Sequence, residues 1–218
     1  MIKEREMIIS PEDIEALDEA FAVMRDFAAD VRAAETGEPW HREMLARFLE
    51  CAAEQYRHMK LGLRHSTALL AWACRNLLEL NIYAQYVLQS DANARRFAMN
   101  RVADGIDTFE SFKAWLARND PSLVPAEVDA ALVELAELRA QEDEPPPRLY
   151  SLKYLSAEVG LADEFAHMSK ICAKLSQPGV FAVMSEDEDA AIFQPALFRA
   201  GAGHGMEIYQ AVKTRISR

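Results

Sequence analysis

Apolar residues recur along much of this chain at three- and four-residue intervals, the spacing of one face of a helix. Ile14, Leu17, Phe21, Met24, Phe27 and Val31 form the first such stripe. Ahead of it, Ser10-Pro11-Glu12-Asp13 supplies an N-cap, a first-turn proline and acids for the positive end of the helix. "TGEP" ends that helix, and Leu45, Phe48, Leu49, Ala52, Tyr56 and Met59 predict a second over about 41–63. From Ser66 to Leu88 the apolar positions run nearly all round: Leu69, Leu70, Trp72, Leu77, Leu78, Leu80, Ile82, Tyr83, Tyr86 and Val87. A helix without a wet face has to be surrounded by others, so this one is expected to be the central rod of a bundle, about 35 Å long.

The pattern is less regular further on. A fourth helix starts near Asp91 and passes Met99 and Val102, with Gly105 expected to bend or interrupt it before Phe109, Phe112 and Trp115. "NDPSLVPAEVD" reads as a turn, and Val128 to Arg139 as a surface helix. "EDEPPPR" cannot continue a helix, because its prolines at 145–147 lack the backbone N–H. It reads as a loop inside one domain, since neither side looks self-sufficient. A short helix from Leu152 to Val159, stopped by Gly160, precedes another from Asp163 to Leu175. "SQPGVFAVMSEDEDAAIFQP" reads as loop with a short strand at Val180 to Val183, and "GAGHG" as a flexible turn into a closing helix, Met206 to Ile216. The expectation is a single all-α domain over residues 1–218, a helical bundle around one long apolar helix.

Composition agrees with the pattern. Ala, Leu, Glu and Arg dominate the 218 residues, which favours helix and is long enough for one sizeable core. The net charge of −11 argues against a non-specific nucleic-acid binder. That charge is uneven. Asp104 to Glu144 holds eleven acidic and three basic residues, whereas His41 to His65 holds five Lys or Arg, three His and three Glu. Cys51, Cys74 and Cys172 form no Cys-x-x-Cys pair and read as small buried hydrophobes of a reducing compartment. The charged start "MIKEREMIISPEDIE" shows no export signal and no segment approaches a membrane span, so the expected location is the cytoplasm.

One feature disturbs the apolar helix. Arg75 and Glu79 stand one turn apart in "WACRNLLELNIYAQY", with Asn76, Asn81 and Gln85 nearby. A buried charge costs several kcal/mol unless well paired, so the pair is either a structural ion pair or one wall of a polar pocket. In the pocket reading Arg75 offers a planar fork to an anion and Glu79 orients it. Asn76, Asn81, Tyr83 and Gln85 are spread too evenly round the helix to share one wall. Glu164-x-x-His167 has the spacing of carboxylate-bridged dimetal sites. A second such turn is missing, "EQYRH" has the wrong spacing, and "HREM" lacks the zinc-protease pattern, so no metal or other cofactor is expected. Arg57, Lys60 and Arg64 share a stripe that reads as a solvated face.

Two stretches carry a family resemblance. "ACRNLLELNIYAQYVLQSDANARRF" and "LKYLSAEVGLADEFAHMSKICAKLSQPG" resemble bacterial and archaeal helical proteins of unknown function that are grouped with the HEPN superfamily (higher eukaryotes and prokaryotes nucleotide-binding). The likeness covers roughly residues 40–100 and 150–180. It implies a helical bundle and a homodimer. In active HEPN ribonucleases an Arg and a His act across the dimer, and here Lys170 falls at the Arg-like position and Gln177 at the His. Glutamine has no titratable proton near neutral pH and cannot be the general base of ribose cleavage. The resemblance therefore implies a non-catalytic or degenerate bundle. It would bind a small anionic ligand, nucleotide or protein partner in a polar pocket near Arg75, Glu79, Lys170 and Gln177. Two alternatives stand beside it. One is a metal-independent ribonuclease of a toxin or phage-defence module, with His167 or His204 as the base. The other is a structural interaction protein whose acidic 104–144 flank meets a basic partner.

Overall fold

A proline at the first helical position and a reciprocal cap open the first helix. Ser10 Oγ accepts from the Asp13 N–H, and the Asp13 carboxylate accepts from the Ser10 N–H, both at 3.1 Å. The structure is a computed structural model that describes residues 9–35, 37–119, 125–140, 149–179 and 190–217. In chain order the helices are α1 (Pro11–Ala33), α2 (Pro39–His65), α3 (Thr67–Gln89), α4 (Asp91–Asn119), α5 (Ala126–Ala140), α6 (Leu152–Glu158), α7 (Ala162–Ser176) and α8 (Gln194–Ile216). Among the described residues there is no strand. The expected strand at Val180 to Val183 and the "EDEPPPR" loop lie outside the described residues.

The helices fall into two compact units. Met1–Gln89 together with Ser151–Arg218 makes the larger, and Ser90–Tyr150 makes the smaller. In the larger unit α3 packs against α2, α6, α7 and α8. Leu70, Cys74, Leu77, Leu78 and Ile82 of α3 are completely buried, and Ala68, Trp72 and Gln89 are the α3 residues left exposed. Phe21 stacks flat on Tyr56 at 4.0 Å, tying α1 to α2. In the smaller unit α4 and α5 pair, with Lys113 Nζ 2.5 Å from Asp129 Oδ1. Asn100 Oδ1 accepts from the Leu149 N–H there, and Arg96 lies over the Tyr150 ring.

Two expectations about glycine are corrected. "GAGHG" is not a turn: residues 201–205 lie inside α8. The reason is close packing. A Cβ at Gly201 would stand 2.6 Å from Met59 Sδ, and one at Gly205 would stand 2.5 Å from Phe21 Cζ. One turn apart, the two glycines let the α8 backbone settle against α2, α3 and α1, and that contact outweighs their poor helix propensity. Their amides are spent within the helix, so no loop remains there to hold an anion. Gly105 likewise does not interrupt α4, which runs unbroken from Asp91 to Asn119. A Cβ at Gly105 would stand 3.0 Å from Leu135 Cδ1, so this glycine marks where α5 approaches.

Candidate functional site

The polar residues of α3 leave the helix in different directions, because about 100° separates successive side chains. Arg75 and Glu79 lie about 40° apart on the wheel and meet each other, Arg75 Nε donating to Glu79 Oε1 at 2.8 Å. Asn76 Nδ2 donates to Gln55 Oε1 of α2 at 3.1 Å. Asn81, roughly 120° away from Arg75, turns to α8. Only Gln85 follows Asn81, donating to its Oδ1 at 3.4 Å. The sequence placed these groups on one helix, and the structure sends them three ways, Asn76 to Gln55 and the others to two sites.

The first site is the ion pair. Arg75 is 32% exposed and Glu79 23%, so both charges are largely withdrawn from water yet reachable from it. Glu79 takes one edge of the guanidinium; among the described residues the Nη edge has no hydrogen-bond partner. The neighbouring element is α7, whose buried Cys172 feels the Arg75 charge and backbone N–H. Ser169 precedes Cys172 by one turn on that face, and its Oγ is buried without a hydrogen-bond partner. Lys170 and Gln177 are both exposed, and no hydrogen bond or ion pair among the described residues joins either to Arg75 or Glu79. Lys170 stands about 160° round α7 from Cys172, the side away from α3. Gln177 caps α7, its N–H donating to the Ala173 carbonyl.

The second site centres on His204 of α8, only 3% exposed. Its Nε2 lies 3.2 Å from Glu164 Oε1 of α7 and its Nδ1 3.6 Å from Glu207 Oε2. The Glu164 approach is off the ring N–H direction, which leaves Nε2 without a well-aligned hydrogen bond. Asn81 Nδ2 reaches both His204 Nδ1, at 3.2 Å, and Glu207 Oε2, at 2.5 Å. With Asn81 donating to Nδ1, the ring proton sits on Nε2, on the side of Glu164 but not aligned with it. The network ends in a groove of about 410 Å³ lined by Gln85, Leu88, Glu207, Gln210, Thr214 and Arg215. The set places an imidazole between two carboxylates. It cannot bring the imidazole into contact with a substrate atom, because His204 is covered.

His204 and Glu164 were both visible as candidates in the sequence; their meeting was not. Asn81 lies 123 residues from His204 and 126 from Glu207. No local spacing rule connects residues so far apart. His167, the partner that the Glu-x-x-His spacing would give Glu164, is exposed on α7. Among the described residues no group of three or more His, Cys, Asp or Glu side chains is placed to hold a metal ion. The stripe of Arg57, Lys60 and Arg64 is partly neutralised, with Lys60 Nζ 2.6 Å from Asp18 Oδ2 and Arg57 Nη2 3.6 Å from Glu54 Oε1. No helix of the described residues is long and apolar enough to cross a membrane.

No protein-family model, curated protein or solved structure matches this chain.

Proposed function

We propose that this is a binding protein rather than an enzyme, taking a small anionic ligand on the α3–α7 face at Arg75. The observation that carries the reading is a guanidinium largely withdrawn from water that commits one edge to Glu79 and leaves its other edge open. An Arg so held presents a rigid, pre-oriented fork, which a carboxylate or phosphate matches with two parallel hydrogen bonds. Lys170 and Gln177, which the HEPN likeness nominates, are both exposed and are not needed for this reading. A homodimer remains part of the proposal, which a size measurement in solution would address.

The experiment is a thermal-shift series with inorganic phosphate, nucleoside phosphates and dicarboxylates on the full chain. A stabilising anion is expected, its effect lost in Arg75→Ala and weakened in Arg75→Lys. An anion that stabilises Arg75→Ala as much as the parent would reject the site.

The ribonuclease reading fares less well on geometry. His204 flanked by two carboxylates is an acid–base arrangement, but at 3% exposure it cannot reach a 2′-hydroxyl. That leaves the exposed His167. Cleavage of bulk RNA in EDTA that vanishes in His167→Ala would revive this reading, and intact RNA would close it.

A further inference from the structure

The helices α3 and α8 run parallel. Gln194 Nε2 donates to Thr67 Oγ1 at 2.8 Å near their first turns, and Asn81 Nδ2 meets Glu207 Oε2 further along both. Past the buried Asn81–His204 contact lies the groove of about 410 Å³. Its inner end is built of acceptors whose direction is set by hydrogen bonds. Asn81, fully buried, spends its amide hydrogens on Glu207 Oε2 and His204 Nδ1, and its Oδ1 accepts from Gln85 Nε2 at 3.4 Å. With its nitrogen turned to Asn81, Gln85 offers the groove its Oε1, and Glu207, with Oε2 held, offers its own Oε1. Among the described residues no Lys or Arg pairs with Glu207, and the nearby Nδ1 of His204, accepting from Asn81, carries no proton. The Glu207 side chain is 56% exposed, so this carboxylate can be reached from solvent. Leu88 and Ala211 add apolar surface to the groove, and Gln210 and Thr214 add polar surface. Arg215 lines it too, about 12 Å along α8 from Glu207.

We propose that this groove binds a primary alkylammonium, its charged head between Glu207 and Gln85 and its chain along Leu88 and Ala211 toward Arg215. A primary ammonium has three N–H donors and no acceptor, which suits an end lined by a carboxylate and amide oxygens. A divalent cation is the poorer fit. It asks for about six or more oxygens, several of them charged, and this groove supplies one carboxylate. The acceptors are held in place by Asn81 before any ligand arrives, so binding does not have to order them. Arg215 sets the choice at the other end of the ligand. Its charge repels a second ammonium and attracts a carboxylate, so an ω-amino acid is preferred to a monoamine of the same length, and the monoamine to a diamine. This site shares no residue with the anion site at Arg75 and stands without it.

The test titrates the full, isotope-labelled chain with ε-aminocaproate, hexylamine, hexamethylenediamine and hexanoate, and follows backbone amide shifts by nuclear magnetic resonance. ε-Aminocaproate is expected to move the amides around Gln85 and Glu207 and to bind tightest. Hexylamine should follow, then the diamine, and hexanoate should leave those amides still. Glu207→Gln keeps the side-chain shape at an exposed position and should weaken ε-aminocaproate at least about tenfold by removing the charge. Ala211→Phe fills the groove without altering a charge and should abolish binding. Arg215→Ala should narrow the gap between ε-aminocaproate and hexylamine. The proposal is overturned if no amine moves these amides at millimolar concentration, or if ε-aminocaproate binds Glu207→Gln as tightly as the parent. Hexanoate acting on the same amides as strongly as ε-aminocaproate would also overturn it, since an anion would then be the ligand. An anion held at Arg75 instead shifts amides of α7 and leaves those around Glu207 in place, so the two sites are read separately.

Discussion

At the scale of single residues, Asn81 and Arg32 do the most with one side chain. Asn81 is fully buried and its amide serves both Glu207 and His204. Removing it leaves a buried imidazole nitrogen without its partner, a loss of about 1–3 kcal/mol. Asn81→Ala should therefore lower the urea midpoint clearly, while Asn76→Ala, at a half-buried position, should lower it less. Equal effects would mean that the His204 network contributes nothing to the fold. Arg32 grips two carboxylates of α2, with Nε 2.6 Å from Glu43 Oε2 and Nη1 2.6 Å from Glu50 Oε1. Those hydrogen bonds hold both carboxyls below their ordinary 4.5 in the folded protein, and unfolding releases them. Their contribution is complete above about 4.5 and drains away as pH falls below it. Melting temperature followed from neutral to acid pH should drop more steeply in the parent than in Arg32→Leu. Parallel curves would show that the pairing is too exposed to count.

At the scale of elements, what could be read in the sequence was periodicity, and what could not was closeness. The stripes of α1 and α2 named buried residues such as Phe21, Met24, Val31, Leu45, Leu49 and Met59, because each of these helices turns one face to the core. The glycines of α8 defeated that reading. Gly-rich composition signals a turn from local propensity, whereas Gly201 and Gly205 are small because side chains of other helices occupy the space. A paired test separates the two meanings. Gly201→Ala should cost about 1–3 kcal/mol by overpacking against Met59. Gly203→Ala, exposed with nothing near its absent Cβ, should stabilise by up to about 1 kcal/mol through helix propensity. A turn would show the reverse order or no difference. The candidate sites were legible in the same partial way. Arg75 and Glu79, spaced one turn apart, could be paired on sight. The meeting of Glu164, His204 and Asn81 needed three helices to be placed.

At the scale of the whole molecule, the two units differ in how much they enclose. Most of the fully buried side chains belong to Met1–Gln89 and Ser151–Arg218, whereas in Ser90–Tyr150 the exposed residues include Phe112, Trp115, Val133 and Leu138. Few buried contacts mean cheap local opening, so amides of α5 should exchange with solvent faster than those of α3 and α8. Mass-resolved hydrogen exchange checks this, and equal protection of α5 and α3 would contradict it. The larger unit is also discontinuous in sequence, which has a consequence for synthesis. A ribosome that has delivered α3 must still make more than a hundred residues before Gly201, Gly205 and His204 emerge to cover it. During that interval Cys74 and Leu77 have no α8 to lie against, and the nascent chain is a natural client for a holding chaperone. A fragment stopped at residue 150 should accordingly bind hydrophobic dyes and precipitate where the full chain does neither.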